Sequence, residues 1–368
     1  MYTIKDLLNV MVETNASDLF VALGAYPMLK ITGKTIPLEK EVVTPVIMNT
    51  LKAEILDENN TKLYLQTKDL DFTYSFPGTG RFRVNFYRQR NSDSFVVRRI
   101  VSEIKTVEEL NLPSLLGNLV EKDRGLILVV GATGSGKSTT MAAMVDHRNA
   151  NIPGHILTLE DPIEFLHSHK KSILTQREIG TDTKSYNTAL KSALREAPSM
   201  LLIGEIRDEE TMTATLNFAE TGHLVLSTLH SNNAYQTIER IESFYPSVQQ
   251  KMIRMQLSQN LLAIVAQRLV PTISGGFIAV MEVMLSTARI RDLIHKGEIQ
   301  LLRHTIESST NEGMQLFDQS LYHFYKKEHI SEETAIQYSD RPNDLKLKIR
   351  SKEVQMFTQK IELADDDY

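Results

Sequence analysis

Eight residues, Gly131-Ala-Thr-Gly-Ser-Gly-Lys-Ser138, have the spacing G-x-x-x-x-G-K-[ST] of a loop that wraps a phosphate chain. The glycines let backbone N–H groups curl around a β-phosphate. A helix opening at Lys137 would add its positive amino-terminal dipole. Lys137 is placed to reach the β- and γ-phosphates, and the Ser138 hydroxyl suits Mg²⁺, a hard ion that prefers oxygen ligands. The expected nucleotide-binding set is Gly131, Thr133, Gly134, Ser135, Gly136, Lys137, Ser138 and Thr139, with ATP and Mg²⁺ as cofactors. The flanks have the form such a loop needs, an apolar run LILVV before it and a helix-forming STTMAAMVDHR after it.

Phosphate chemistry of this kind also uses acids at the ends of neighbouring strands. HILTLEDPIEF sets Glu160 and Asp161 at a strand end, with Glu164 just beyond, and Pro162 stops the strand and aims Glu164 inward. In MLLIGEIRD, Glu205 follows another apolar run. Being one carbon longer than the more usual Asp, it would hold Mg²⁺ through a water, so Ser138 and Glu205 form the expected metal set. TGHLVLSTLH carries His223 and His230 on either side of a strand. Thr228 and His230, at its carboxyl end, are placed to sense a γ-phosphate. A histidine metal pair would need a third ligand, and none lies nearby in the sequence.

Arg81, Arg83, Arg88, Arg90, Arg98 and Arg99 face only Asp93 within their own stretch. Such a run is either a solvated face or a set of fingers for nucleotide charge. An antiparallel hairpin of RFRVNFY and SFVVRRI, centred between Arg90 and Asn91, sets Val84 opposite Val97 and Phe86 opposite Phe95. It also sets Arg83 opposite Arg98, two like charges that an anion between them would reconcile.

The elements that position these residues follow from periodicity. Ile4, Leu7, Leu8 and Met11 have helical spacing. DLFVAL and MLKI read as strands, Thr44-Pro45 as the start of a helix, and Phe72, Tyr74 and Phe76 as one face of a strand. A PGTG turn at Pro77–Gly80 leads into the hairpin. This αββαβββ pattern predicts a small α+β domain over residues 1–100, followed by a linker over 101–118. From 119 to 368 the runs LILVV, HILTL, MLLIG and HLVLSTL are apolar throughout and separated by helical segments. That pattern predicts a parallel sheet covered on both faces. Residues 250–270 read as one amphipathic helix ending near Pro271, a Gly275-Gly276 turn precedes FIAVMEVML, and the chain is helical from about 286. The last residues, ELADDDY, read as a frayed acidic tail.

The chain has 368 residues, enough for two or three domains, and no cysteine, which excludes disulfides, thiolate metal sites and cysteine nucleophiles. Its net charge of −5 gives no global basic field for nucleic acid. Asp6 and Glu13 interrupt the first apolar residues, so no secretory segment is expected there. No apolar run approaches the roughly 20 residues of a membrane span. A cytoplasmic, peripheral protein without direct membrane insertion is expected.

VVGATGSGKSTTMAAM, HILTLEDPIEF, QREIG, ALREAP, IGEIRDEETM and AETGHLVLSTLHSNNA, in that order, resemble the secretion-type ATPases of type IV pilus systems. The match is closest to the retraction motors of the PilT/PilU family, and covers nearly the whole chain. The absence of cysteine argues against the assembly motors, which commonly carry a tetracysteine zinc module. Ala288-Arg-Ile-Arg-Asp-Leu-Ile294 departs from the Ala-Ile-Arg-Asn-Leu-Ile segment of PilT-like chains and leans toward the PilU side. The resemblance implies an α/β fold with a PAS-like N-terminal α+β domain, a RecA-like ATPase domain and C-terminal helices. It makes Glu164 the general base, Glu205 the Walker B acid, His223 and His230 the histidine box, and Arg83 and Arg98 the arginines acting in trans. It also implies a homohexamer that retracts pili together with a PilT-like motor, against an inner-membrane platform protein. Two other classes remain open at this point, a nucleic-acid translocase on the same core and an inactive scaffold docking to a partner motor. The acidic composition speaks against the first, and the set Lys137, Ser138, Glu164 and Glu205 against the second.

Overall fold

The computed structural model describes residues 2–351 apart from 39, 40, 77, 101 and 102, so the acidic tail and Pro77 of the PGTG turn lie outside the described residues. The chain divides into two compact units, Met1–Glu103 with Glu164–Leu166, and Ile104–Ile163 with His167–Tyr368.

The first unit is built on an antiparallel sheet of β1 (Asp18–Ala22), β2 (Met28–Ile31), β3 (Lys34–Pro37), β4 (Asp69–Phe76), β5 (Gly80–Gln89) and β6 (Ser92–Ile100). Their order is β3-β2-β1-β6-β5-β4. The helix Ile4–Glu13 buries Ile4, Leu7, Leu8 and Met11, as their spacing predicts. Thr44 caps the helix Pro45–Ile55, its hydroxyl accepting the Ile47 N–H at 3.3 Å. The β5–β6 register sets Val84 opposite Val97, Phe86 opposite Phe95 and Arg83 opposite Arg98. Arg90 and Asn91 turn the chain with φ of 46° and 61°, the sign a two-residue type I′ hairpin demands at both positions. Phe86 and Phe95 stack with ring centres 5.2 Å apart inside the core.

Two elements of this unit escape the αββαβββ pattern. β3 is a short edge strand exposed at every residue, so it shows no alternation. The helix Glu58–Thr67 buries only Tyr64 and is polar almost all round, so it shows no apolar stripe.

The second unit holds β7 (Gly125–Val130), β8 (Gly154–Glu160), β9 (Ser172–Glu178), β10 (Met200–Ile203), β11 (Leu224–Leu229), β12 (Leu261–Pro271) and β13 (Phe277–Leu285). The order is β13-β12-β7-β11-β10-β8-β9, parallel except for β13. Every residue of β7, β10 and β11 is buried, which is why these runs are apolar on both faces. The stretch expected as linker contains the helix Leu115–Val120, whose Leu116, Leu119 and Val120 join this unit's core. Helices Ala288–Lys296, Leu302–Ser308, Phe317–Lys326 and Glu332–Gln337 follow β13.

The single helix expected over 250–270 is corrected. The helix Ser247–Asn260 ends there, and Leu261–Pro271 is a central strand between β7 and β13. An apolar run buried on both faces has no periodicity to distinguish it from a buried helix.

Candidate phosphate-binding site

The loop after β7 ends where the helix Lys137–Asn151 begins. Gly131, Gly134 and Gly136 have φ of 152°, 78° and 85°, a region that side-chain residues rarely adopt. Space adds a second requirement. A Cβ on Gly131 would stand 2.5 Å from the Gln267 carbonyl oxygen, and one on Gly136 would stand 2.8 Å from Gln267 Nε2. The Lys137 ammonium donates to the carbonyls of Gly131 and Ala132, both at 2.9 Å, so it lies across the loop it belongs to. Thr133 and Gly134 are exposed, Ser135 is buried, and Lys137, Ser138 and Thr139 are half-buried. Close-fitting glycines, an ammonium and a helix-start hydroxyl form a donor set that fits polyphosphate and a hard divalent ion.

The acids gather at the carboxyl ends of the strands beside β7. Gly204 donates its N–H to the Leu159 carbonyl at 2.8 Å, and Ile206 donates to the Thr228 carbonyl at 2.9 Å. These bonds stitch the turn carrying Glu205 to β8 and β11. Both carboxylate oxygens of Glu205 are engaged. Oε1 lies 3.0 Å from His230 Nε2, and Oε2 accepts from Arg207 Nε at 2.7 Å. Arg207 also stands 3.9 Å from Asp161. The bond to Glu205 raises the Arg207 pKa above its ordinary value, and burial raises that of Tyr186 beneath the turn. Asp161, Glu205, Arg207 and His230 thus share the edge of the parallel sheet onto which the glycine loop opens.

Glu160 ends β8 at this same end of the sheet, beside Asp161. Glu160 Oε1 accepts from Thr158 Oγ1 at 2.7 Å and from Gln176 Nε2 at 3.3 Å, which ties it into β8 and β9. Glu164 is exposed and counts with the first unit. His223 precedes β11, whereas His230 follows it, so the strand's length of roughly 20 Å separates them. Within this chain His223 Nδ1 contacts Thr221 Oγ1 at 3.1 Å and the Phe218 carbonyl at 3.2 Å, not the phosphate loop.

Arg83 and Arg98 belong to the first unit. Within residues 81–99 these arginines face only Asp93, and the sheet brings Arg83 and Arg98 to carboxylates distant in sequence. Arg83 forms an ion pair with Asp71 of β4, and Arg98 Nε donates to Asp18 Oδ1 of β1 at 2.8 Å. Asp93 itself is engaged by Lys52 Nζ and the Tyr64 hydroxyl, both at 2.7 Å.

Two residues of the site were missed in the sequence. Arg207 stood in the quoted GEIRD segment without a role. Gln267, hidden by the helical reading of its segment, was signalled only as a lone amide within LLAIVAQRLV.

The profile of the Type II/IV secretion system protein family matches residues 109–276. The chain is 45% identical to the type IV pilus ATPase PilU of Pseudomonas aeruginosa, over 99% of this chain and 97% of that one. It is 38% identical to the type IV pilus retractation ATPase PilT of the same organism, over 93% of this chain and 99% of that one. Among solved structures it is similar to the pilus retraction motor PilT with bound ADP, at a TM-score of 0.89 and 39% identity, covering 94% of this chain and 99% of the other. The glycine loop, the acids beside it and this end-to-end similarity lead to one assignment: the chain belongs to the PilT/PilU family of type IV pilus retraction ATPases.

Proposed function

We propose that this ATPase drives pilus retraction as a homohexameric ring, in which the phosphate loop of one subunit receives Arg83 and Arg98 of its neighbour. One observation carries the reading: the glycine loop opens on the same sheet edge as the Glu205 carboxylate held between His230 and Arg207. The loop N–H groups, Lys137 and Thr139 bind and orient the phosphates of ATP. Ser138 and Glu205 would hold Mg²⁺, the latter through water, and the ion would supply charge neutralisation on the phosphate oxygens. Glu164 accepts the proton of the attacking water. His230, through its contact with Glu205, couples the γ-phosphate position to the end of β11. His223, at the other end of that strand, serves the histidine box only across a subunit boundary.

The greater identity to PilU than to PilT supports work alongside a PilT-like motor. The same reading puts the ring in the cytoplasm, against an inner-membrane platform protein. Among the described residues no helix is long and apolar enough to cross a membrane.

ATP turnover and light scattering of the purified protein test this reading. Expected are hydrolysis that is lost in Lys137→Ala, and a particle of six subunits. Wild-type turnover in Lys137→Ala would overturn the loop assignment. A monomer at high protein concentration with ATP would overturn the ring. Stimulation of hydrolysis by DNA would favour a translocase instead.

A further inference from the structure

We infer that Gln267 is a positioning residue of the phosphate loop, setting through its side-chain amide the direction of the Ser135–Gly136 peptide and hence the affinity for nucleotide phosphates. The inference rests on the loop's reading as the ATP site. Gln267 is 2% exposed and stands on β12 directly after Ala266, which pairs with Val130, the last residue of β7 before the loop. Its Nε2 donates to the Ser135 carbonyl at 2.7 Å, and its Oε1 accepts from the Thr140 hydroxyl, also at 2.7 Å. A carbonyl can only accept, so the amide has a single orientation that satisfies both ends.

That orientation matters because C=O and N–H point in opposite directions across a trans peptide. Holding the Ser135 carbonyl toward Gln267 turns the Gly136 N–H away from it. Inward-turned N–H groups are what such a loop offers an anion. Gln267 also borders both crowded glycines, by its carbonyl at Gly131 and by its amide at Gly136. A buried amide in an apolar strand is costly unless bonded at both ends. Here both bonds go to the loop and the first turn of its helix rather than to another strand.

The test uses the full chain. Gln267→Met keeps length and apolar volume but makes neither bond. Gln267→Glu keeps the acceptor for Thr140 and loses the donor to Ser135. Thr140→Val leaves the Gln267 amide without its orienting hydroxyl. Expected are a roughly tenfold rise in Kd for MgADP and in KM for ATP in Gln267→Met and Gln267→Glu, with a smaller change in kcat, and a roughly threefold rise in Thr140→Val. Thr140→Val should add little when placed on Gln267→Met, because the two act through one amide. Lys137→Ala serves as the reference that has lost nucleotide binding.

Unchanged Kd and KM in Gln267→Met, with binding lost in Lys137→Ala, would overturn the inference. So would lowered Tm with unchanged affinity in these variants, since that describes packing alone. If Gln267→Met fails to fold, Thr140→Val decides by the same criterion. Normal binding and turnover in Lys137→Ala would instead overturn the reading of the loop itself.

Discussion

Arg83 stands directly opposite Arg98 across the β5–β6 hairpin, and each guanidinium is held by a carboxylate from a different flanking strand, Asp71 of β4 and Asp18 of β1. Like charges directly opposed destabilise a sheet by a few tenths of a kcal/mol or more. The two carboxylates offset that cost within the unit, so two cations can stand side by side on one sheet.

The two ion pairs should differ in what they contribute to stability. The side chain of Asp18 is 5% exposed, and that of Asp71 is 41% exposed. Removing Arg98 leaves a buried carboxylate without its cation, whereas the Arg83 pair is screened by water. Arg98→Ala is expected to cost about 1–3 kcal/mol and Arg83→Ala less than about 1 kcal/mol. Thermal unfolding of the two single variants measures the difference, and equal Tm values would refute it.

If these arginines act across a subunit boundary, defects should complement. A chain with Arg83→Ala and Arg98→Ala, and a chain with Lys137→Ala, are each expected to be inactive alone. Mixed rings should regain part of the ATPase activity, because an intact loop can then face intact arginines. No recovery despite demonstrated co-assembly, or full activity of the arginine double variant alone, would exclude action in trans.

The acidic residues near β8 should separate by role. Glu164→Gln is expected to bind ATP and lose hydrolysis, since an amide cannot take the water's proton. Glu160→Gln should retain most turnover, because Glu160 serves Thr158 and Gln176 in the sheet. Parallel nucleotide-binding and turnover assays decide. The reverse pattern would transfer the general base to Glu160.

Stability should carry a pH signature from Glu282 on β13. Burial pushes its carboxyl up to about 7, and Asp340 adds to the rise. The Ala234 N–H, Arg303 and Arg268 oppose it. A raised folded pKa means that the native state binds this proton more tightly than the unfolded chain. Its contribution is therefore fully present below about pH 4.5, is lost as pH rises to about 7, and is flat above that. Glu282→Gln can still accept the Ala234 N–H, which Glu282 Oε1 accepts at 2.7 Å. The variant should match wild type near pH 4.5 and exceed it by on the order of 3 kcal/mol above pH 7. Denaturant unfolding of both proteins across this range measures the difference, and a pH-independent difference would refute the assignment.

The hairpin register, the helical spacing of Ile4, Leu7, Leu8 and Met11, the helix start at Thr44, the glycine loop and the fully apolar strands were all legible in the sequence. Each is set by near neighbours: a cap, a two-residue turn, a loop spacing, or a run apolar on both faces. Tertiary structure decided what depends on partners distant along the chain. Residues 261–271 became a strand because β7 and β13 pair with them, and only then did Gln267 come to lie against the loop. Asp18 and Asp71 reached the arginines by strand pairing across the sheet. Side-chain period reports how a segment alternates between water and core, and it holds no information about which distant strand completes that core.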